Sequence, residues 1–262
     1  MNRQCRYMFL KNRLAEYRNK IKGCRMCNGE GYVPTGKTID TITFAFKNCK
    51  CKEEFENVKN FILANIPKRR FNLPELKLKK RIVQNTLTDE NVSLFKTVVK
   101  GYLKNFDKAR RDGLGLMFFG TPGSGKTTAA LKIVLQLLSN NLDCYYIYFK
   151  NLIGLLMEGY DDRQKSNLFK EIIDVDFLVI DELSLVSRVT NHMVAEFTSI
   201  CKQRFENEKP TLLISNYQTI DEIYHNFGAP MESLLTEAFI PFRFYGKDMR
   251  EDKYEYLKEF FQ

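Results

Sequence analysis

The 262-residue sequence contains no run of about 18 to 20 uninterrupted apolar residues, the length a helix needs to cross a bilayer, and this excludes a helical membrane span. Its first residues, MNRQCRYMFLKNR, are interrupted by charge too often for a secretory signal, so a cytoplasmic protein is expected. No internal repeat and no low-complexity tract occurs, which argues against a solenoid or an extended polar array. Tryptophan is absent, and its absence excludes nothing. The seven cysteines are odd in number and the chain is long, which argues against a secreted disulfide scaffold. Four of them fall in two tight pairs, a pattern that suits metal binding in a reducing compartment.

With 44% hydrophobic and 13% aromatic residues, the chain can form one sizeable core and a smaller appendage, so two domains are expected. The formal charge of +9 is unevenly placed. Residues 1–82 hold 20 Lys and Arg against 7 Asp and Glu, a net +13, whereas residues 83–262 hold 21 against 25, a net −4. Such a basic segment attracts nucleic acid through its phosphates, and it equally suits a solvated surface or an acidic partner.

Residues 1–22 read as a basic amphipathic helix, with Tyr7, Leu10, Leu14, Tyr17 and Ile21 at steps of three and four. Residues 23–52, with their glycines and Thr/Phe/Lys content, predict a small β-rich module, and a helix is expected at 53–64. IPKRRFNLPELKLKKR then reads as an extended basic linker. The expected domains are thus 1–65, a linker at 66–85, and 86–262. In the last, helices are expected near 91–110, from Lys126, at about 150–158 and 164–173, and near 190–206. Strands are expected at Gly115–Phe119, Cys144–Phe149, Phe177–Ile180 and Thr211–Ser215. Apolar strands alternating with helices predict an α/β fold, a parallel sheet covered on both faces.

Between the first of these strands and its helix lies Gly120, Thr121, Pro122, Gly123, Ser124, Gly125, Lys126 and Thr127, followed by Thr128, which fits the phosphate-binding loop pattern in its required context. Glycines let the backbone amides turn inward around phosphates, and the helix start adds partial positive charge. Lys126 is expected to reach the β- and γ-phosphates of ATP, and the Thr127 hydroxyl to complete a Mg²⁺ shell. About 55 residues on, the strand FLVID ends in Asp181 followed by Glu182. Asp181 suits holding Mg²⁺ and Glu182 suits polarising an attacking water, so hydrolysis is expected rather than binding alone. The strand TLLIS ends beside Asn216, placed to sense the γ-phosphate or the lytic water. The aromatic run Tyr145, Tyr146, Tyr148 and Phe149 reads as core in preference to a base-stacking surface.

Cys24, Cys27, Cys49 and Cys51 make a C-x₂-C…C-x-C set of four soft ligands, which predicts structural Zn²⁺ in a module too small to fold on its own core. Gly29 and Gly31 permit the tight turn beneath the metal. Cys5, Cys144 and Cys201 read as incidental, the last two as core residues.

The ordered set ANIPKRRF, LMFFGTPGSGKTTAA, DVDFLVIDEL, CKQRFENEKPTLLISNY and FYGKDMR, over about residues 62–250, resembles the DnaC/DnaI/IstB group of AAA+ ATPases, which load replicative helicases or assist transposases. The resemblance implies an AAA+ domain in which Asn216 is the sensor-1 residue and Arg250 a sensor-2 arginine contacting the γ-phosphate. Where the group carries an arginine finger, this chain has Glu232, Ser233 and Leu234. Slow intrinsic hydrolysis is therefore expected, or a finger supplied by Arg243, Arg204 or Arg188. DnaI-like members place a zinc-containing, helicase-binding domain first, which the cysteine set resembles. The implied function is loading of a hexameric replicative helicase onto single-stranded DNA, plausibly for a phage or mobile element, with self-assembly in a ring or helical array. Two alternatives stay open: an IstB-like transposition regulator on duplex DNA, and an assembly that ATP stabilises but scarcely fuels.

Overall fold

A computed structural model describes residues 18–19, 21–38, 44–67, 70, 79–157, 163–184, 190–246 and 248. The chain divides into two compact units, Met1–Phe71 and Asn72–Gln262. Most of the helix expected over residues 1–22 lies outside the described residues, as does Cys5.

In the first unit, strands β1 (Tyr32–Thr38) and β2 (Phe44–Asn48) pair antiparallel, with Tyr32 opposite Asn48 and Pro34 opposite Phe46. Helix α1 (Lys50–Leu63) follows directly and buries Phe61, Ile62 and Leu63 at its C-terminal end. It starts three residues earlier than the sequence suggests, because Cys49 takes the extended N-cap geometry and Glu53 sits in the first turn, where a carboxylate favours the helix start.

The second unit is an α/β sandwich around a seven-stranded sheet. Strands β3 (Ile82–Asn85), at the end of what reads as linker, and β4 (Glu90–Ser93), just beyond it, form an antiparallel hairpin; Val83, 1% exposed, anchors it. The helix expected near 91–110 is broken after β4 into a π-helical stretch (Leu94–Val99), α2 (Lys100–Lys104) and α3 (Phe106–Arg111). Then follow β5 (Gly115–Gly120), α4 (Lys126–Ser139), β6 (Cys144–Tyr148), α5 (Phe149–Met157), α6 (Arg163–Asp174) and β7 (Phe177–Leu183). The chain continues through α7 (Asn191–Glu206), β8 (Thr211–Ser215), α8 (Ile220–Phe227), α9 (Ala229–Ala238) and β9 (Phe239–Phe244). Strand order is β4-β3-β9-β5-β8-β7-β6, with β9 through β6 mutually parallel and β3 antiparallel to β9.

Both sheet faces are covered, so every residue of β5 and β8 is buried and these strands are apolar without alternation. One face carries Met117, Phe119, Tyr145, Ile147, Leu178, Ile180 and Leu213 into a cluster with Phe149, Phe197 and Leu234. The intervening residues face the other way, where Phe118 packs on Phe244 with ring centroids 4.9 Å apart. Each buried Leu, Ile or Phe contributes roughly 1.5–3 kcal/mol. Because β5 pairs with β8 on one side and β9 on the other while the chain leaves it toward β6, the strand order reverses at β5. The C-terminal end of that strand is where an open sheet forms a crevice. Tyr145, Tyr146 and Phe149 are core residues. Among the described residues no helix is long and apolar enough to cross a membrane.

Candidate functional site

The loop Gly120–Gly125 leaves the C-terminal end of β5 at that crevice and enters α4. It needs glycine at Gly120 and Gly125, whose φ angles are 109° and 101°. A Cβ on Gly120 would overlap the Phe244 carbonyl oxygen, while the amide of Thr121 donates to that same oxygen at 2.9 Å, so the loop is stitched to β9. The Gly120 amide donates to Tyr217 O at 2.7 Å, tying the loop to the chain beyond β8. Ser124 Oγ donates to Thr121 O at 2.6 Å. Lys126, only 5% exposed, points its ammonium back into the loop and donates to Gly120 O at 2.7 Å and Thr121 O at 2.8 Å. At the helix start the amides of Lys126, Thr127 and Thr128 have no carbonyl within the helix to receive them, which makes this end a ready anion cradle. Gly123 lies against the Asp248 carboxylate, which a side chain at that position would overlap.

The acidic end of β7 faces this loop. Thr127 Oγ1 donates to Asp181 Oδ2 at 2.8 Å, joining positions 54 residues apart in sequence. Asp181 is 2% exposed and so is held within the protein, whereas Glu182 is exposed. The register between β7 and β8 slips by one residue between Ile180 and Leu183. That bulge puts Glu182 at φ 59°, a left-handed conformation that costs a non-glycine residue about 1 kcal/mol or more and is characteristic of sites where geometry matters more than stability. It is held by its own amide donating to Asp181 Oδ1 at 2.7 Å and by Ser215 Oγ donating to Leu183 O at 2.8 Å. Asn216 follows β8 on the same rim and is exposed; its carbonyl accepts from Gln218 Nε2 at 3.1 Å. Pro122 is exposed, and Thr121 and Thr128 are half-buried.

This donor set fits a nucleoside triphosphate with Mg²⁺. An ammonium and a row of helix-start amides suit phosphate, a hydroxyl and a carboxylate already in contact suit a hard divalent cation, and an exposed carboxylate beside them suits a water. Bound Mg²⁺ would neutralise charge developing on the phosphoryl oxygens. Arg250 and Arg188 lie outside the described residues. Arg243 sits in β9 opposite Phe119. Arg204 is wholly enclosed and spends its guanidinium on five neighbours: Thr211 Oγ1, and the carbonyls of Ile172, Ile173, Val175 and Pro210. Burial pushes it down to about 10, still charged at neutral pH. It caps the C-terminal end of α6 and has no exposed surface.

In the first unit the four cysteines converge. All four Sγ atoms lie within 4.8 Å of one another, with Cys24 to Cys49 at 3.8 Å and Cys27 to Cys51 at 3.5 Å. A tetrahedron of Zn–S bonds of about 2.3 Å has edges of about 3.8 Å, so the set fits zinc. Gly31, at φ 80°, turns its amide onto Cys27 Sγ at 3.2 Å, a hydrogen bond that favours the thiolate. The Cys27 backbone amide, then that of Met26, pushes the Cys24 thiol down to about 7. Because α1 begins at Lys50, Cys49 is its N-cap and Cys51 stands in its first turn, which explains the one-residue spacing of that half-site.

Sequence reasoning missed Tyr146, whose phenol donates to Asp181 Oδ2 at 2.6 Å, Ser215, which holds the bulge of β7, and Tyr217 and Asp248, which meet the loop. A hydroxyl among alternating aromatics, two residues from a strand's C-terminal end, is the one signal that pointed to Tyr146.

No protein-family model matches the sequence, and no curated protein matches it. Solved structures similar to the chain include a DnaC helicase loader, at 23% identity over 55% of this chain and 85% of that one, TM-score 0.44. DnaI is 22% identical over 68% of this chain and 94% of its own, TM-score 0.44. The replication initiator DnaA bound to AMPPCP and single-stranded DNA is 19% identical over 71% of this chain and 56% of its own, TM-score 0.49. At such identities these neighbours show only what the fold is similar to.

Proposed function

We propose that this chain binds Mg²⁺–ATP in the loop Gly120–Thr128 and hydrolyses it slowly, using the cycle to load a hexameric replicative helicase onto single-stranded DNA. The observation that carries the nucleotide reading is the contact between Thr127 Oγ1 and Asp181 Oδ2 at 2.8 Å, because it brings together two motifs recognised separately in the sequence. In this reading Lys126 holds the β- and γ-phosphates, Thr127 and Asp181 hold Mg²⁺, Glu182 polarises the attacking water, and Asn216 and Arg250 sense the γ-phosphate. Glu232, Ser233 and Leu234 replace the usual arginine finger, which accounts for slow turnover by the chain alone.

The loader reading is supported by the five ordered segments that resemble the DnaC/DnaI/IstB group, and by the separate cysteine-bearing unit that DnaI-like members use to bind helicase. Zn²⁺ held by Cys24, Cys27, Cys49 and Cys51 supplies folding energy to that unit. The test is light scattering after gel filtration of the chain mixed with its host's replicative helicase, with and without ATP and single-stranded DNA. A complex that depends on residues 1–65 is expected. No complex under any condition, together with binding to duplex DNA, would replace the loader with the transposition-type regulator.

A further inference from the structure

Tyr146 lies on β6, 1% exposed, on the sheet face opposite Tyr145 and Ile147. Apolar packing there is served as well by phenylalanine; what the hydroxyl adds is its hydrogen bond to Asp181 Oδ2 at 2.6 Å. That oxygen also accepts from Thr127 Oγ1 at 2.8 Å, and Oδ1 accepts the Glu182 amide at 2.7 Å. A carboxylate has about four acceptor positions, so donors from β6, α4 and the bulge of β7 fix its plane from three directions. The Tyr146 phenol supplies the donor from β6. Tyr148 stacks edge-on against it, ring centroids 5.4 Å apart, which limits rotation of the phenol.

We propose that Tyr146 is a positioning residue for the cation site: its phenol locks the Asp181 carboxylate so that Mg²⁺ finds it already oriented when the Thr127 oxygen turns to the metal. This rests on the reading of Thr127 and Asp181 as the Mg²⁺ holders. Without the phenol, Oδ2 keeps among the described residues only the Thr127 donor, and binding metal must complete the ordering of the carboxylate, at a cost in metal affinity.

The test is Tyr146→Phe, with binding of a fluorescent non-hydrolysable ATP analogue followed in EDTA and across a Mg²⁺ titration, and thermal melting recorded alongside. The expected result is binding in EDTA within about 2-fold of wild type and a Mg²⁺ requirement raised about 10-fold, the loss of one charge-assisted hydrogen bond. A folded variant with the wild-type Mg²⁺ requirement overturns the proposal, as does a loss of binding that is equal with and without Mg²⁺. Wild-type binding that ignores Mg²⁺ would instead sink the cation reading itself, and the proposal with it. If Tyr146→Phe does not fold, 3-fluorotyrosine at position 146, a stronger donor of nearly the same size, should shift the Mg²⁺ requirement while leaving binding in EDTA unchanged; no shift overturns the role.

Discussion

Replacing Arg204 with methionine tests whether this arginine belongs to the fold or to catalysis between subunits. Methionine keeps most of the length and removes every donor. Five acceptors lose their partner: Thr211 Oγ1 and the carbonyls of Ile172, Ile173, Val175 and Pro210. Those of Ile172 and Ile173 fall in the last turn of α6, where the helix cannot satisfy its own carbonyls, and the lost positive charge had favoured that end of the helix dipole. An unsatisfied buried acceptor costs about 1–3 kcal/mol, but the variant also avoids the expense of burying a guanidinium, so the five penalties do not add in full. The expected net loss is about 3–5 kcal/mol, a large share of a typical domain's stability. At about 2–4 °C per kcal/mol for a domain of this size, the melting midpoint should fall by about 10 °C. Arg204→Lys, with three donors in place of five and no planar fork, should fall between. Melting by circular dichroism gives the midpoints, and ATP turnover measured well below each midpoint should match wild type per folded molecule. A midpoint within 2 °C of wild type, combined with turnover lowered about 10³-fold, would refute the structural assignment and restore a role in trans.

Glu182→Gln should leave affinity for Mg²⁺–ATP within about 3-fold while lowering turnover at least about 100-fold, measured by phosphate release, since the side chain is exposed on the rim and holds none of the loop. Asp176 gives a pH prediction. Burial raises its pKa, but the Asp143 amide at 2.9 Å, Lys209 at 3.1 Å and Arg110 at 3.0 Å outweigh it and hold the carboxyl below its ordinary value. A depressed folded value means the stabilisation is present above the unfolded pKa of about 3.9 and is lost as pH falls below it, so Asp176→Asn should flatten the acid limb of a melting-against-pH curve while lowering stability near pH 7. Removing metal with a chelator should release one zinc per chain, read by a colorimetric dye, and abolish the ordered signals of residues 24–63 in NMR while Asn72–Gln262 keeps its own.

The phosphate loop and the acidic pair were legible because each is a local pattern whose spacing is set by chain geometry: a strand, a glycine turn, a helix, and later a strand ending in two carboxylates. Four parallel strands were legible for the same reason, as apolar runs buried on both faces. β9 was not, since Pro241 in FIPFRF argues against an interior strand; in the structure it lies opposite Met117, and its carbonyl accepts from the Thr86 amide at 3.2 Å. The hairpin β3–β4 was hidden because β3 directly follows a basic stretch that reads as linker and β4 overlaps the start of the helix expected near 91–110. Partners distant in sequence were also hidden: nothing near Arg204 signals that three of its five acceptors lie 29 to 32 residues earlier, at the end of α6 and just past it.

The one-residue slip in β7 has a directional effect. In an unbroken strand Asp181 and Glu182 would point to opposite sides of the sheet, one into each layer of helices. The slip delivers both acids to the same rim, one drawn inward and one left in solvent, and then returns Leu183 to burial so that the layers below register no change. Deleting either residue there would restore a regular ladder and remove one of the two carboxylates, leaving the hydrophobic sandwich nearly intact around a site with only half its acidic chemistry.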